Sequence, residues 1–105
     1  MVRVRCFRVR PEKVGRLREW MDELSRRRDE VLETFAKETV RHEVGYLFET
    51  TDGPILLYVV EAEDLQQAAR AVEENPLPID LEHRNVMREV LGEPIPLDPI
   101  LDLRA

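Results

Sequence analysis

The stretch V-R-H-E-V-G-Y-L-F-E-T-T-D-G-P-I-L-L-Y-V-V-E-A, Val40 to Ala62, decides the fold. In its first part, Val40 to Thr50, Val40, His42, Val44, Tyr46 and Phe48 share one parity, and Arg41, Glu43, Leu47 and Glu49 share the other. Such alternation predicts a strand with two unlike faces. Residues 51–54, Thr-Asp-Gly-Pro, are turn chemistry, with Gly53 free to take positive φ. Ile55 to Ala62 is apolar at both parities until Glu61, the pattern of a central strand covered on both faces. The stretch is an antiparallel hairpin, and its flanks place the rest of the chain.

Upstream, Val2 to Arg10 alternates as a strand, with Val2, Val4 and Cys6 on one face and Arg3, Arg5, Phe7 and Val9 on the other. Pro11 and Glu12 suit a helix start. Val14, Leu17, Met21, Leu24, Val31 and Phe35 then recur at three- and four-residue steps, widened by Trp20 and Leu32. This predicts one amphipathic helix over about residues 11–37, roughly 40 Å long. Downstream, Asp64 can cap a helix whose stripe is Leu65, Ala68, Ala69 and Val72, closed by Asn75-Pro76. Pro78 and Asp80 open a further helix over about 79–91, with Ile79, His83, Val86, Met87 and Val90 inward and Gly92 as terminator. Three prolines, Pro94, Pro96 and Pro99, keep most of the tail out of a central strand and leave Ile100 to Leu103 as an edge strand.

The order is β-α-β-β-α-α-β over a single domain, residues 1–105. It predicts an α+β, ferredoxin-like fold with an antiparallel sheet and helices on one face. The other face keeps Phe7 and either the Tyr46/Phe48 or the Leu47 set, and pairing two sheets about a twofold axis covers it. The expected partner is therefore a second copy.

Composition limits the alternatives. The longest apolar run, Ile55 to Val60, is too short for a membrane span, and MVRVRCFRVR lacks the apolar core of a signal peptide. The lone cysteine, Cys6, has no internal disulfide partner and reads as a small core residue. The expectation is a cytoplasmic protein. Residues 1–30 hold ten Arg or Lys against six Asp or Glu, and residues 31–105 hold six against sixteen. The acidic remainder opposes a polyanion, so no nucleic-acid partner is expected.

Three stretches carry a resemblance. They are V-R-C-F-R-V (4–9), R-E-W-M-D-E-L (18–24) with D-E-V-L-E-T (29–34), and P-I-D-L-E-H (78–83) followed by R-E (88–89). They resemble a domain-of-unknown-function family, number 6176. The layout and length look like the dimeric α+β barrel superfamily, which holds antibiotic-biosynthesis-type monooxygenases, small isomerases and sugar mutarotases. The resemblance implies a fold and a candidate segment, Ile79-Asp80-x-x-His83, but no reaction. The similar mutarotase carries a proton-transfer histidine on its first helix. The helix here, R-L-R-E-W-M-D-E-L-S-R-R-R, has none, and a mutarotase-like isomerase stays as a further alternative.

No GxGxxG, GxxxxGK[ST], CxxC or HExxH is present, and no metal spacing or cofactor motif. His83 lies within an apolar stripe and needs a partner there, with Asp80 one turn before it. An Asp-oriented imidazole facing a cavity is a general base, so His83 and Asp80 are the catalytic candidates. The competing reading is a hydrogen-bonded core histidine and a helix-capping aspartate. Arg28 falls on the seam of Leu24, Val31 and Phe35, either to bind an anionic ligand or to pair inside the protein. His42, Tyr46 and Arg5 are ligand-binding candidates if their faces line a cavity, and cross-strand packing residues if not. The sequence does not decide whether this is an enzyme. One reading is a small polar or anionic ligand held between sheet and helices; the other is a non-catalytic regulatory or structural homodimer.

Overall fold

A computed structural model describes residues 1–105. The central hairpin is β2 (Val40–Thr50) and β3 (Gly53–Ala62), joined by a turn in which Gly53 has φ 111°. Thr50 Oγ1 accepts from the Asp52 N–H at 3.1 Å and donates to the Gly53 carbonyl at 2.8 Å. β1 (Val2–Val9) pairs antiparallel with β3, and β4 (Leu91–Ile95) pairs antiparallel with β1. The strand order β2-β3-β1-β4 is that of a ferredoxin-like α+β domain. No helix is long and apolar enough to cross a membrane.

Four helices lie on one face: α1 (Val14–Arg26), α2 (Arg28–Glu38), α3 (Leu65–Glu74) and α4 (Pro78–Val90). The Asp64 carboxylate caps α3, accepting from the Gln66 and Gln67 N–H groups. Val9, Leu17, Trp20, Leu56, Ile79, Val86 and Val90 form the main core, and Val40, Ala62 and Ala68 a smaller one.

Four expectations are corrected. The long first helix is two helices after a 3-10 turn at Pro11–Lys13. It breaks at Arg27, at φ −95° and ψ 40°. A straight helix of roughly 40 Å would overrun a body with principal extents of 37 × 35 × 22 Å, and the bend keeps both halves on the sheet. A bulge between Val40 and His42 puts Val40 on the helix side while His42 stays on the open side. Phe7 is cross-strand from Leu56 and Leu47 under the helices, not on the open face. The fourth strand is Leu91–Ile95, not Ile100–Leu103. It follows α4 directly, so Gly92 belongs to the strand, and Pro94 is tolerated because the strand is an edge.

Candidate active site

The register of the sheet places the polar side chains. Under the helices, Arg3, Val60 and Glu43 form one cross-strand row. Arg5, Tyr58 and Gly45 form the next, and Phe7, Leu56 and Leu47 the third. Two of the three rows thus bring charge or a phenol to the covered side of the sheet. Above them lies a cleft of about 620 Å³ between the two core clusters. Its walls are mostly hydrophobic, and Arg3, Arg5, Glu38, Glu43, Tyr58, Asp80 and His83 all reach it.

His83 is held from two sides. Trp20 Nε1 donates to His83 Nδ1 at 2.9 Å, and the two rings stack with centroids 6.1 Å apart. The Tyr58 ring lies across the imidazole at 6.2 Å. Burial pushes the His83 pKa down, against an upward pull from Asp80, so the ring is neutral. Asp80 does not bond the imidazole. Its Oδ2 accepts from the Leu77 N–H at 2.9 Å, which anchors the first turn of α4.

Asp80 also neighbours Glu38, the last residue of α2, and both line the cleft. Burial pushes the Glu38 pKa up to about 7, and the nearby Asp80 and Glu43 carboxylates push the same way. Burial raises the Glu43 pKa, opposed by the neighbouring Tyr58 hydroxyl and by Arg3. The Tyr58 phenol is held protonated by burial and by the Glu43 charge. Arg3 is lowered by burial and by Arg5, and its Nε is buried with no hydrogen-bond partner. No group of three or more His, Cys, Asp or Glu side chains is placed to hold a metal ion.

The model of the Family of unknown function (DUF6176) matches residues 1–104 of the chain. The chain belongs to that family. No curated protein matches the DUF6176 chain in sequence. Among solved structures, Rv0793 from Mycobacterium tuberculosis is similar to it at 23% identity and a TM-score of 0.54, covering 95% of this chain and 96% of that one. At that identity the likeness speaks to the fold alone.

In this DUF6176 protein the cleft brings together His83, Asp80 and Arg5 from the sequence candidates. Three others lie elsewhere. Arg28 is exposed at the start of α2, because the break at Arg27 turns it off the apolar seam. The neighbouring Arg27 makes the ion pairs instead, with Glu23 at 2.9 Å, Glu30 at 2.7 Å and Glu82 at 2.6 Å. His42 and Tyr46 stand exposed on the open side of the sheet, away from the helices. The residues that sequence reasoning passed over are Trp20 as a histidine partner, Glu38, Glu43 and Tyr58. Glu38 carried a signal, since it continues the Val31, Phe35 spacing of the apolar stripe. Glu43 carried another, sharing its parity with Leu47.

Proposed function

We propose that the protein binds and chemically transforms a small anionic organic molecule in the sheet–helix cleft, as a cytoplasmic homodimer. One observation carries the reading: ten ionisable or phenolic side chains from β1, β2, β3, α2, α3 and α4 line one largely apolar-walled cleft. A stable core does not need them, and shielding half-buried ones, Arg3, Glu38, Glu43, Tyr58, Asp80 and His83 among them, from water is unfavourable without a use. Arg3 and Arg5 both lack a carboxylate partner at ion-pair distance, which favours an anion. The dimer is supported by the uncovered sheet face, where Val2, Val4, Tyr46 and Phe48 are 57, 42, 55 and 44% exposed.

A thermal-shift screen of small organic acids tests the ligand. A true ligand at a hundred times its Kd adds about 2.7 kcal/mol of stability, and Arg5→Met removes that gain. If no acid stabilises the protein, or if Arg5→Met and His83→Phe respond like the wild type, the cleft is not a binding site. The non-catalytic regulatory or structural homodimer is then the remaining reading. Light scattering at micromolar concentration tests assembly, with twice the chain mass expected and a monomer removing the dimer.

A further inference from the structure

The Trp20–His83 bond fixes more than the ring position. An indole N–H donates and never accepts, so His83 Nδ1 must carry its lone pair toward Trp20. In a neutral imidazole the proton then sits on Nε2. Protonating Nδ1 would set two N–H groups against each other, so Trp20 and burial both oppose the imidazolium. Arg3 Nε is the one buried side-chain nitrogen or oxygen left without a partner. Nε2 of His83, which meets no protein acceptor, therefore keeps some open surface, and His83 lines the cleft. It is a fixed hydrogen-bond donor and a poor base.

The base must then be sought among the other cleft groups, of which Glu73 on α3 stands exposed to solvent. Tyr58 is held protonated by burial and Glu43. Glu43 neighbours the Tyr58 hydroxyl and Arg3. Asp80 is committed to the Leu77 N–H. Glu38, at the end of α2, lines the same cleft as His83 and is the carboxyl that changes charge near neutrality, with Asp80 on α4, Glu43 on β2 and Arg3 on β1 as its charged neighbours.

We propose that the cleft moves a proton at the carbon beside a carbonyl of a small carboxylic acid, with Glu38 as the acid–base group and His83 Nε2–H as the neutral donor to the carbonyl oxygen. The inference rests on the cleft being a ligand site, and it names the substrate class. The C–H bond breaks and its proton goes to the Glu38 carboxylate. The electron pair becomes the C=C bond of an enolate, and the carbonyl π pair moves onto the oxygen that His83 faces. Return of the proton from Glu38, on the same face, to the far end of a conjugated enolate completes an isomerisation. No oxidant, reductant or co-reactant is needed. Arg3 and Arg5 hold the carboxylate.

Two measurements test this. Long-range ¹H–¹⁵N spectra of the free protein near pH 7 should show His83 with Nε2 protonated and Nδ1 bare; an Nδ1–H tautomer overturns the proposal. In D2O, 2-oxobutyrate and 2-oxoglutarate should exchange the hydrogens beside the ketone faster with protein than without. Glu38→Gln should cut that acceleration by about 10²–10⁴-fold, and His83→Phe by about 10²-fold. His83→Gln is the discriminating variant. Its amide oxygen can accept from Trp20 and its amide N–H can donate, but it cannot act as a base, so exchange should stay within about tenfold of the wild type. Equal loss in His83→Gln and His83→Phe, with Glu38→Gln active, would assign the base to His83 instead. Binding of either acid, seen as shifts of cleft resonances, with no acceleration overturns the proton transfer and leaves the ligand site standing. Absence of binding by both also overturns the proposal, and the broader acid screen then decides the site.

Discussion

The two faces of the sheet invert the usual arrangement. In most α+β domains the helix-covered face is apolar and the free face is polar. Here the covered face carries Arg3, Arg5, Glu43 and Tyr58 through its middle, and the free face presents Val2, Val4, Val44, Tyr46, Phe48, Leu57 and Val59. Sequence alternation alone would invite the opposite assignment. The physics separates two uses of burial. Polar groups under a roof are shielded from water, where their charges act over short distances at low dielectric. Apolar groups without a roof drive association. One strand supplies both, since β3 sends Tyr58 to the cleft and Val59 to the open face.

The largest expected effect comes from breaking the open face. Val59→Asp sets a carboxylate in the middle of the proposed dimer contact, opposite Val4 and Val44. It should weaken association by about 3–5 kcal/mol or more and give a monomer by light scattering, with far-UV circular dichroism unchanged. An intact dimer would place the interface elsewhere. Next, on the covered face, Trp20→Phe strands the buried Nδ1 of His83. Chemical denaturation should show a loss of about 1–3 kcal/mol, and the His83 pKa should rise, since its Nδ1 is then free to take a proton.

A smaller effect tests the Glu38 environment. The folded pKa of about 7 lies above the unfolded carboxyl value, so the folded state binds the extra proton. The Glu38 contribution is fully present below about pH 4.5 and is lost as pH rises through about 7. Between those limits it should change stability by about 1–2 kcal/mol, reduced from the full linkage value because solvent still reaches the group. His83 works in the other direction, losing stability as pH falls below its ordinary range. The informative measurement is therefore the difference between wild type and Glu38→Gln from pH 5 to 8. A constant difference would mean that Glu38 has no raised pKa. Smallest of all, Arg28→Met lies on neither face and should change stability by no more than about 0.5 kcal/mol, whereas Arg27→Met should lower the melting temperature measurably.

Local rules made much of the fold legible. The hairpin follows from parity and Gly53, α3 from the Asp64 cap, and the inward face of α4 from the Ile79, Val86, Val90 spacing. The misreadings arose where tertiary geometry overrides local pattern. The break at Arg27 has no Gly or Pro to announce it, and it moves Arg28 off the seam. The bulge beside Arg41 exchanges faces within one strand. In the site, the Asp80–His83 segment was visible because its residues are neighbours. The true partner of His83 is 63 residues away, on a helix whose stripe marks Trp20 as ordinary core. Glu38 and Asp80 likewise meet across two helices, and no spacing rule spans that distance.

The strand order has a consequence for how the molecule is made. β1 precedes the other strands of this domain, yet both of its neighbours, β3 and β4, come much later in the chain. On the ribosome it waits unpaired while the β2–β3 hairpin closes on local contacts alone. Arg3 and Arg5 enter the cleft when β1 docks on β3, and His83 arrives later still, on the helix that leads into β4. Long-range pairings of this kind are the slow steps of folding. The candidate site is thus completed only once α4 has emerged, and a nascent chain stalled before α4 would carry its arginines without the histidine.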